Sequence, residues 1–176
     1  DRTDLLFVGG FGHPPNEDAV RWFVRHVFPL VSEEIPDIRL HVVGSNPDEG
    51  LLELASEQVL FWGFVPDLSE HLASRRVSVA PLRYGAGIKG KVNEAMAHGL
   101  PCVATSVAAE GILATAGEEI LVADDPEAFA AALVELYQSR ELWERISEAS
   151  LASVERQCSF EVAEHALRAA ISPNTL

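Results

Sequence analysis

Residues 81–96 read P-L-R-Y-G-A-G-I-K-G-K-V-N-E-A-M, and their types and spacing describe a cradle for phosphate. Gly85, Gly87 and Gly90 let the backbone turn sharply and approach a ligand closely. Arg83, Lys89 and Lys91 bring positive charge to a chain whose formal net charge is -14. The loop feeds a helix start near Lys91, where free backbone N–H groups and the helix dipole both favour an anion. Glu94 lies about one helical turn further. A carboxylate there can accept hydrogen bonds from ribose hydroxyls while phosphates rest on the helix end. The chemistry indicated is the holding of a nucleotide diphosphate. A flexible glycine-rich connection with solvated lysines is the plainer alternative. It does not account for glycines, cations and a helix start meeting at the end of a strand. For Lys89 alone the two readings stand level.

The same stretch nearly spells a P-loop. Gly85 to Val92 fits the first seven positions of G-x-x-x-x-G-K-[ST], but Val92 occupies the eighth, where a hydroxyl should hold Mg²⁺. Leu82, Arg83 and Tyr84 also separate the loop from its strand, which three earlier strands precede.

Strands and helices alternate around this loop. Apolar runs predict strands at Leu5–Val8, Arg39–Val43, Val59–Trp62, Val77–Pro81, Cys102–Thr105 and Ile120–Ala123. Asn16 is placed to cap a helix with Val20, Phe23, Val24, Val27 and Val31 at helical spacing, which Pro29 should kink or split. Further helices are expected near Leu51–Ser56, from an Asp67 cap toward Ser74, over Lys91–His98 up to Gly99, after Asp125-Pro126, over Glu141–Arg156 and over Phe160–Ile171. This alternation predicts an α/β fold, a doubly wound, Rossmann-like parallel sheet with helices on both faces. In such sheets ligands bind beyond the carboxyl ends of the strands, so the loops Gly9–Asn16, Gly63–Asp67 and Leu82–Lys91 matter most.

The 176 residues suffice for one well-buried domain. The acidic balance argues against DNA or RNA as partner. No apolar run has the length of a membrane span, and no signal-peptide pattern opens the chain. The first residue is Asp1 and the single methionine is Met96, which points to a piece of a longer protein. Cys102 and Cys158 lack metal-site spacing, and Cys102 reads as a buried small hydrophobe. A reducing, cytoplasmic setting fits them.

Several residues have bland explanations. Asp125 reads as a helix cap before Pro126 rather than half of a metal-binding pair with Asp124. His98 is placed at a helix end, and His13 reads as a solvated loop histidine near the cleft. Gly9, Gly10 and Gly12 do not make G-x-G-x-x-G. Trp22, Trp62 and Trp143 read as core or half-buried residues.

The string G-A-G-I-K-G-K-V-N-E-A-M-A-H-G-L-P-C-V-A-T resembles the donor-binding half of retaining glycosyltransferases of the two-Rossmann-domain (GT-B) type, family four, also called group 1 glycosyltransferases. Collinear segments extend the resemblance over nearly the whole chain: L-L-F-V-G-G-F, P-N-E-D-A, P-D-I-R-L-H-V-V-G, V-L-F-W-G-F-V-P-D-L, A-D-D-P-E-A-F-A-A-A-L and C-S-F-E. The resemblance implies that residues 1–176 form the C-terminal donor domain. A missing N-terminal domain would hold the acceptor and any membrane contact, leaving the full-length protein cytoplasmic or peripheral at the inner membrane face. It implies transfer of a sugar from a UDP-, GDP- or ADP-sugar with retention, without a metal or other cofactor. Polysaccharide biosynthesis is the setting the family implies. Glu94 matches the second Glu of the family's E-x7-E motif, the usual ribose ligand. Gly63, Phe64 and Val65 match the loop that brackets the base, and Gly87, Ile88, Lys89, Gly90, Lys91 and Val92 match the loop and helix start under the phosphates.

Two departures stand out. The first Glu of E-x7-E falls at Ala86, so its contact to the transferred sugar is missing. The Arg and Lys that often follow the first strand are replaced by Gly10 and, approximately, Pro15 or Asn16. Lys89 and Lys91 are then expected to supply the lost charge from the other side of the diphosphate. Isolated, the domain should bind donor weakly and transfer sugar slowly or not at all. A non-catalytic nucleotide-sugar-binding module, half of a sugar-nucleotide epimerase and a P-loop NTPase are the competing functions. The stripe Phe160, Ala163, Leu167 and Ile171 would pack either on this domain or on the missing half.

Overall fold

The computed structural model describes residues 2–87, 89–158 and 164. The helix expected over Phe160–Ile171, with its apolar stripe, lies outside the described residues apart from Glu164, and so does Ile88. The six expected strands form: β1 (Thr3–Val8), β2 (Leu40–Val43), β3 (Val59–Gly63), β4 (Arg75–Ala80), β5 (Cys102–Ala104) and β6 (Leu121–Val122). They make one sheet in the order β3-β2-β1-β4-β5-β6, and every pairing is parallel. This is the doubly wound order of a Rossmann-like fold.

Side chains alternate across the sheet with period two. In β1, Leu5 and Phe7 enter the larger core with Val42, Val77, Val79 and Val103, while Leu6 enters a smaller one with Val43, Leu72, Ala95 and Leu100. The larger core is closed by α1 (Pro14–Trp22), α2 (Phe28–Glu34) and α7 (Pro126–Gln138), through Trp22, Phe28 and Phe129 among others. The smaller is closed by α4 (Ser69–Ser74) and α5 (Gly90–Ala97), with α8 (Arg140–Cys158) against α5. Two short helices, α3 (Glu49–Leu52) and α6 (Ser106–Ala109), are also present.

Pro29 splits the first helical run as expected. Residues Phe23–Val27 form a π-helical turn, and the Phe28 N–H bonds to the Phe23 carbonyl. The extra residue per turn lets Pro29, which has no N–H to give, stand in the first turn of α2. Asp125 caps α7 by accepting from the Ala128 N–H, and Gly99 stops α5 with φ 58°. Cys102 is fully buried, and burial pushes its thiol up to about 12. Trp22 is buried, Trp143 partly so, and Trp62 is half exposed.

Two expected caps differ. Asp67 does accept from the Ser69 N–H, at 2.8 Å, but the helix is capped at Leu68, one residue later. Asn16 is no cap: α1 begins at Pro14 after His13, because two prolines suit a first turn whose N–H groups are unpaired in any case. Asn16 therefore lies within the helix, and its buried side chain is freed for other bonds.

A polar knot lies on the face of the sheet beneath α4. The Trp62 indole N–H donates to His41 Nδ1 at 3.0 Å, and His41 Nε2 meets Asp4 Oδ2 at 3.2 Å. Nδ1 is thus an acceptor and Nε2 carries the proton, which defines a neutral imidazole. Arg75 lies 3.6 Å from the same Asp4 oxygen, and His71 packs edge-on against Trp62.

Candidate functional site

The strand order reverses between β1 and β4, so a crevice opens beyond their carboxyl ends. Two segments line it, residues 9–16 after β1 and 81–91 after β4. The first is pinned to the neighbouring loop: Gly9 N–H donates to the Val43 carbonyl at 2.9 Å, and Phe11 N–H to the Ser45 carbonyl at 2.8 Å. Gly44 permits this approach, since a Cβ there would stand 1.9 Å from the Gly9 carbonyl oxygen. In the second segment Gly85 and Gly87 turn the chain at φ 132° and 81°, values that side chains disfavour.

The crevice between them holds about 170 Å³. Asn16, His13 and Pro15 form one wall, and Gly85, Ala86, Lys89, Gly90 and Lys91 form the other. Lys91 is anchored beneath: its ammonium lies 4.5 Å over the Phe7 ring and donates to the Asn16 side-chain oxygen. Burial lowers its pKa to about 8, so it still carries charge at neutral pH. Lys89 is buried to 7% exposure, with its amine 3.4 Å from the Gly85 carbonyl and 3.9 Å from the Glu110 carboxylate. These are the chain's only two lysines. Both meet the start of α5, a helix long enough to present its free N–H groups and positive dipole end. Buried ammonium groups on a helix start are chemistry for an anion, because paired charges replace the water each cation has lost.

A second hollow of about 220 Å³ lies between the loops after β1, β2 and β3. Gly10, Ser45, Phe64 and Val65 line it, and Phe64 is 74% exposed. Gly63 makes the turn, at φ 68°, and its carbonyl accepts from Gly44 N–H at 2.9 Å. The loop after β1 borders both hollows, its first residues the second and its last residues the crevice. A flat apolar ring on Phe64 and an anion on the lysines would lie along one edge of the sheet.

The expected site residues divide accordingly. Lys89, Gly90 and Lys91 share the crevice, while Gly10, Phe64 and Val65 share the other hollow. Val92 is fully buried in the core and shapes the helix start only through its backbone. Glu94 is exposed on α5 and lines neither hollow. Arg83 turns away from the crevice to a bidentate bond with Asp18 on α1, which raises its pKa and ties the two walls together. His98 bonds the Glu94 carbonyl at 2.9 Å through Nδ1, as a helix-end residue should. Two residues escaped sequence reasoning, Asn16 and Glu110. Asn16 looks like a cap because carboxamides at helix starts usually are. Glu110 follows α6, and nothing in its neighbours signals a lysine across the cleft.

A larger groove, about 480 Å³, runs between α2 and α7. Glu33, Glu34, Glu127 and Glu135 surround its apolar floor, so it repels anions and lies away from the strand ends.

The family model described as "Glycosyl transferases group 1" matches residues 2–139. An uncharacterized 44.6 kDa protein in the cps region of Klebsiella pneumoniae is 31% identical over 137 residues, covering 72% of this chain and 35% of its own length. The chain therefore spans about a third of the relative it matches. Among solved structures, the C-terminal domain of a group 1 family glycosyl transferase (LpcC) from Francisella tularensis is similar with a TM-score of 0.71 and 16% identity, over 90% of this chain and 87% of that one. HepE of Anabaena, in complex with UDP and glucose, is similar with a TM-score of 0.76 and 14% identity, over 97% of this chain and 49% of that one. With a family model matched over most of its length and the same fold in both structures, the chain belongs to the group 1 glycosyl transferases.

Proposed function

We propose that this chain is the C-terminal, donor-binding half of a retaining GT-B glycosyltransferase, which takes a sugar from a nucleotide-diphosphate sugar and passes it to an acceptor glycan or lipid. The observation that carries this reading is the crevice at the strand-order reversal, where Lys89, Lys91 and the start of α5 converge. The diphosphate would lie there, neutralised by protein groups without a metal. The nucleoside would extend along the strand ends toward Gly63, Phe64 and Val65, with Glu94 as ribose ligand. Similarity to the isolated LpcC C-terminal domain supports the domain assignment, and the UDP bound by HepE supports a nucleotide ligand. The crevice would meet only the diphosphate, which UDP, GDP and ADP donors share. The acceptor and any membrane contact would belong to an N-terminal half. Among the described residues no helix is long and apolar enough to cross a membrane.

The test is calorimetric titration of the chain with UDP, GDP and ADP, with and without Mg²⁺. The expected result is metal-independent binding of one diphosphate, weakened about 10- to 100-fold in Lys91→Ala, as for a lost charged hydrogen bond. Binding that requires Mg²⁺, or that ignores Lys91→Ala, would refute the assignment. A second reading, a nucleotide-sugar-binding module without transfer activity, draws on Ala86, which lines the crevice where the family's first Glu would stand. Transfer of sugar by the full-length protein would eliminate it.

A further inference from the structure

We propose that Asn16 is the positioning residue of the crevice: it fixes the Lys91 ammonium in place and sets the pH range over which a nucleoside diphosphate binds. The inference rests on the donor-site reading above and names how that site is held and regulated.

Lys91 and Asn16 come from opposite sides of the strand-order reversal, α5 after β4 and α1 after β1. Asn16 is 7% exposed and uses both ends of its carboxamide. Its oxygen accepts from the Lys91 ammonium, and its amide donates to the Gly10 carbonyl at 2.8 Å. The carboxamide has one workable orientation, since the reverse would set NH₂ against NH₃⁺ and oxygen against oxygen. Lys91 thereby becomes part of the β1 loop without being covalently part of it. The space is tight as well: a Cβ on Gly9 would stand 2.7 Å from Lys91 Nζ and 2.8 Å from Asn16 Cγ.

The environment of the amine explains why one neutral acceptor matters. Phe7 lies beneath it and offers only a ring face. The titratable groups around it are the buried Cys102 thiol on β5, Lys89 at the end of the loop and His13 on the opposite wall. The two carboxylates on α1 are both engaged, Glu17 with Arg21 and Asp18 with Arg83. Asn16 is the group that hydrogen-bonds the charged form directly, and bonding to a charged form favours it. A carboxylate at this position would hold the proton more firmly but cancel the charge an anionic ligand needs. A carboxamide holds the cation and leaves its charge to the ligand.

The experiment combines diphosphate binding by this chain with direct titration of Lys91. UDP, GDP and ADP are titrated calorimetrically between about pH 6 and pH 10 into wild type, Asn16→Ala and Asn16→Asp. Lysine-selective ¹³C labelling gives two signals, one for Lys89 and one for Lys91. In wild type, affinity should fall as pH rises through about 8, together with the Lys91 transition. In Asn16→Ala both transitions should move to lower pH, and affinity at neutral pH should drop about tenfold. In Asn16→Asp the Lys91 transition should move to higher pH while affinity at neutral pH still falls. A substitution that merely loosened the helix would hydrate Lys91 and move its transition upward toward 10.5, opposite to the shift expected of Asn16→Ala. If Asn16→Ala does not fold, Asn16→Ser and Asn16→Asp carry the same test. Unchanged transitions in folded variants that still bind would overturn this inference alone. Absence of binding by wild type to any of the three probes at any pH would overturn the donor-site reading, and this inference with it.

Discussion

Gly9 and Gly44 touch backbone to backbone at the floor of the site, and the contact decides what each position tolerates. A methyl group on Gly44 would meet the Gly9 carbonyl, part of a backbone pinned by the Gly9 N–H bond to Val43 that cannot yield as a side-chain tip would. Gly44→Ala should cost about 3 kcal/mol or more, read as a fall in Tm of about 6–12 °C. Lys91 presents the opposite case. Burying an ammonium opposes folding, and the folded state gives up that proton at about 8, before an unfolded lysine does near 10.5. The unfolded chain then binds more protons between those values, so stability rises with pH across that window. Lys91→Met should remove this rise and raise Tm by roughly a few degrees at neutral pH, while weakening diphosphate binding as much as Lys91→Ala does. A variant that gains stability and loses affinity marks a lysine kept for binding. Part of this was legible in residue type: three glycines and two lysines at a helix start mark a candidate anion site. The partners were not, because Arg83 to Asp18 and Lys91 to Asn16 are pairs 65 and 75 residues apart.

Secondary structure was the most legible level, for a physical reason. Each strand contains or adjoins an apolar run, and a strand buried in the middle of a sheet leaves that signature whatever it packs against. Helix starts were less legible, since Leu68 and His13 cap without a side-chain bond and so carry no mark. The polar knot under α4 was illegible too, because Asp4, His41, Trp62, His71 and Arg75 come from five separate elements. Its behaviour is predictable now. Burial, followed by the Arg75 charge, lowers the pKa of both His41 and His71 below the usual 6.5. Asp4 partly offsets this for His41, and Glu70 for His71. The unfolded chain therefore takes up protons first as pH falls. The stability contributed by the neutral rings is complete above about 6.5 and is lost on acidification below it. Protonated His41 can no longer accept from Trp62, so the loss should appear as a change in Trp62 fluorescence alongside a falling Tm. His41→Gln should abolish the fluorescence change and reduce the fall in Tm below pH 6.5, leaving the part that belongs to His71. Unchanged acid sensitivity in that variant would place the transition elsewhere.

At the scale of the whole molecule, one sheet separates two tasks. The central strands β1 and β4 carry buried side chains of the core, and their carboxyl ends hold the crevice, while the acidic helices face outward. The core under α7 should therefore govern stability without touching the site. Phe129→Ala, fully buried against Trp22 and Phe23, should cost about 3–5 kcal/mol by thermal or urea unfolding. Its diphosphate affinity, measured on the folded fraction, should match wild type. The crowding of both lysines into one loop has a practical corollary. Any reagent that seeks primary amines, other than the chain's own N-terminus, finds this protein only at its crevice. Coupling through amines to a sensor surface would blind the chain it tethers, and a lysine-specific protease would have two places to cut. A diphosphate in the crevice should shield both bonds, so the rate of that cleavage becomes a footprint of occupancy that needs no label.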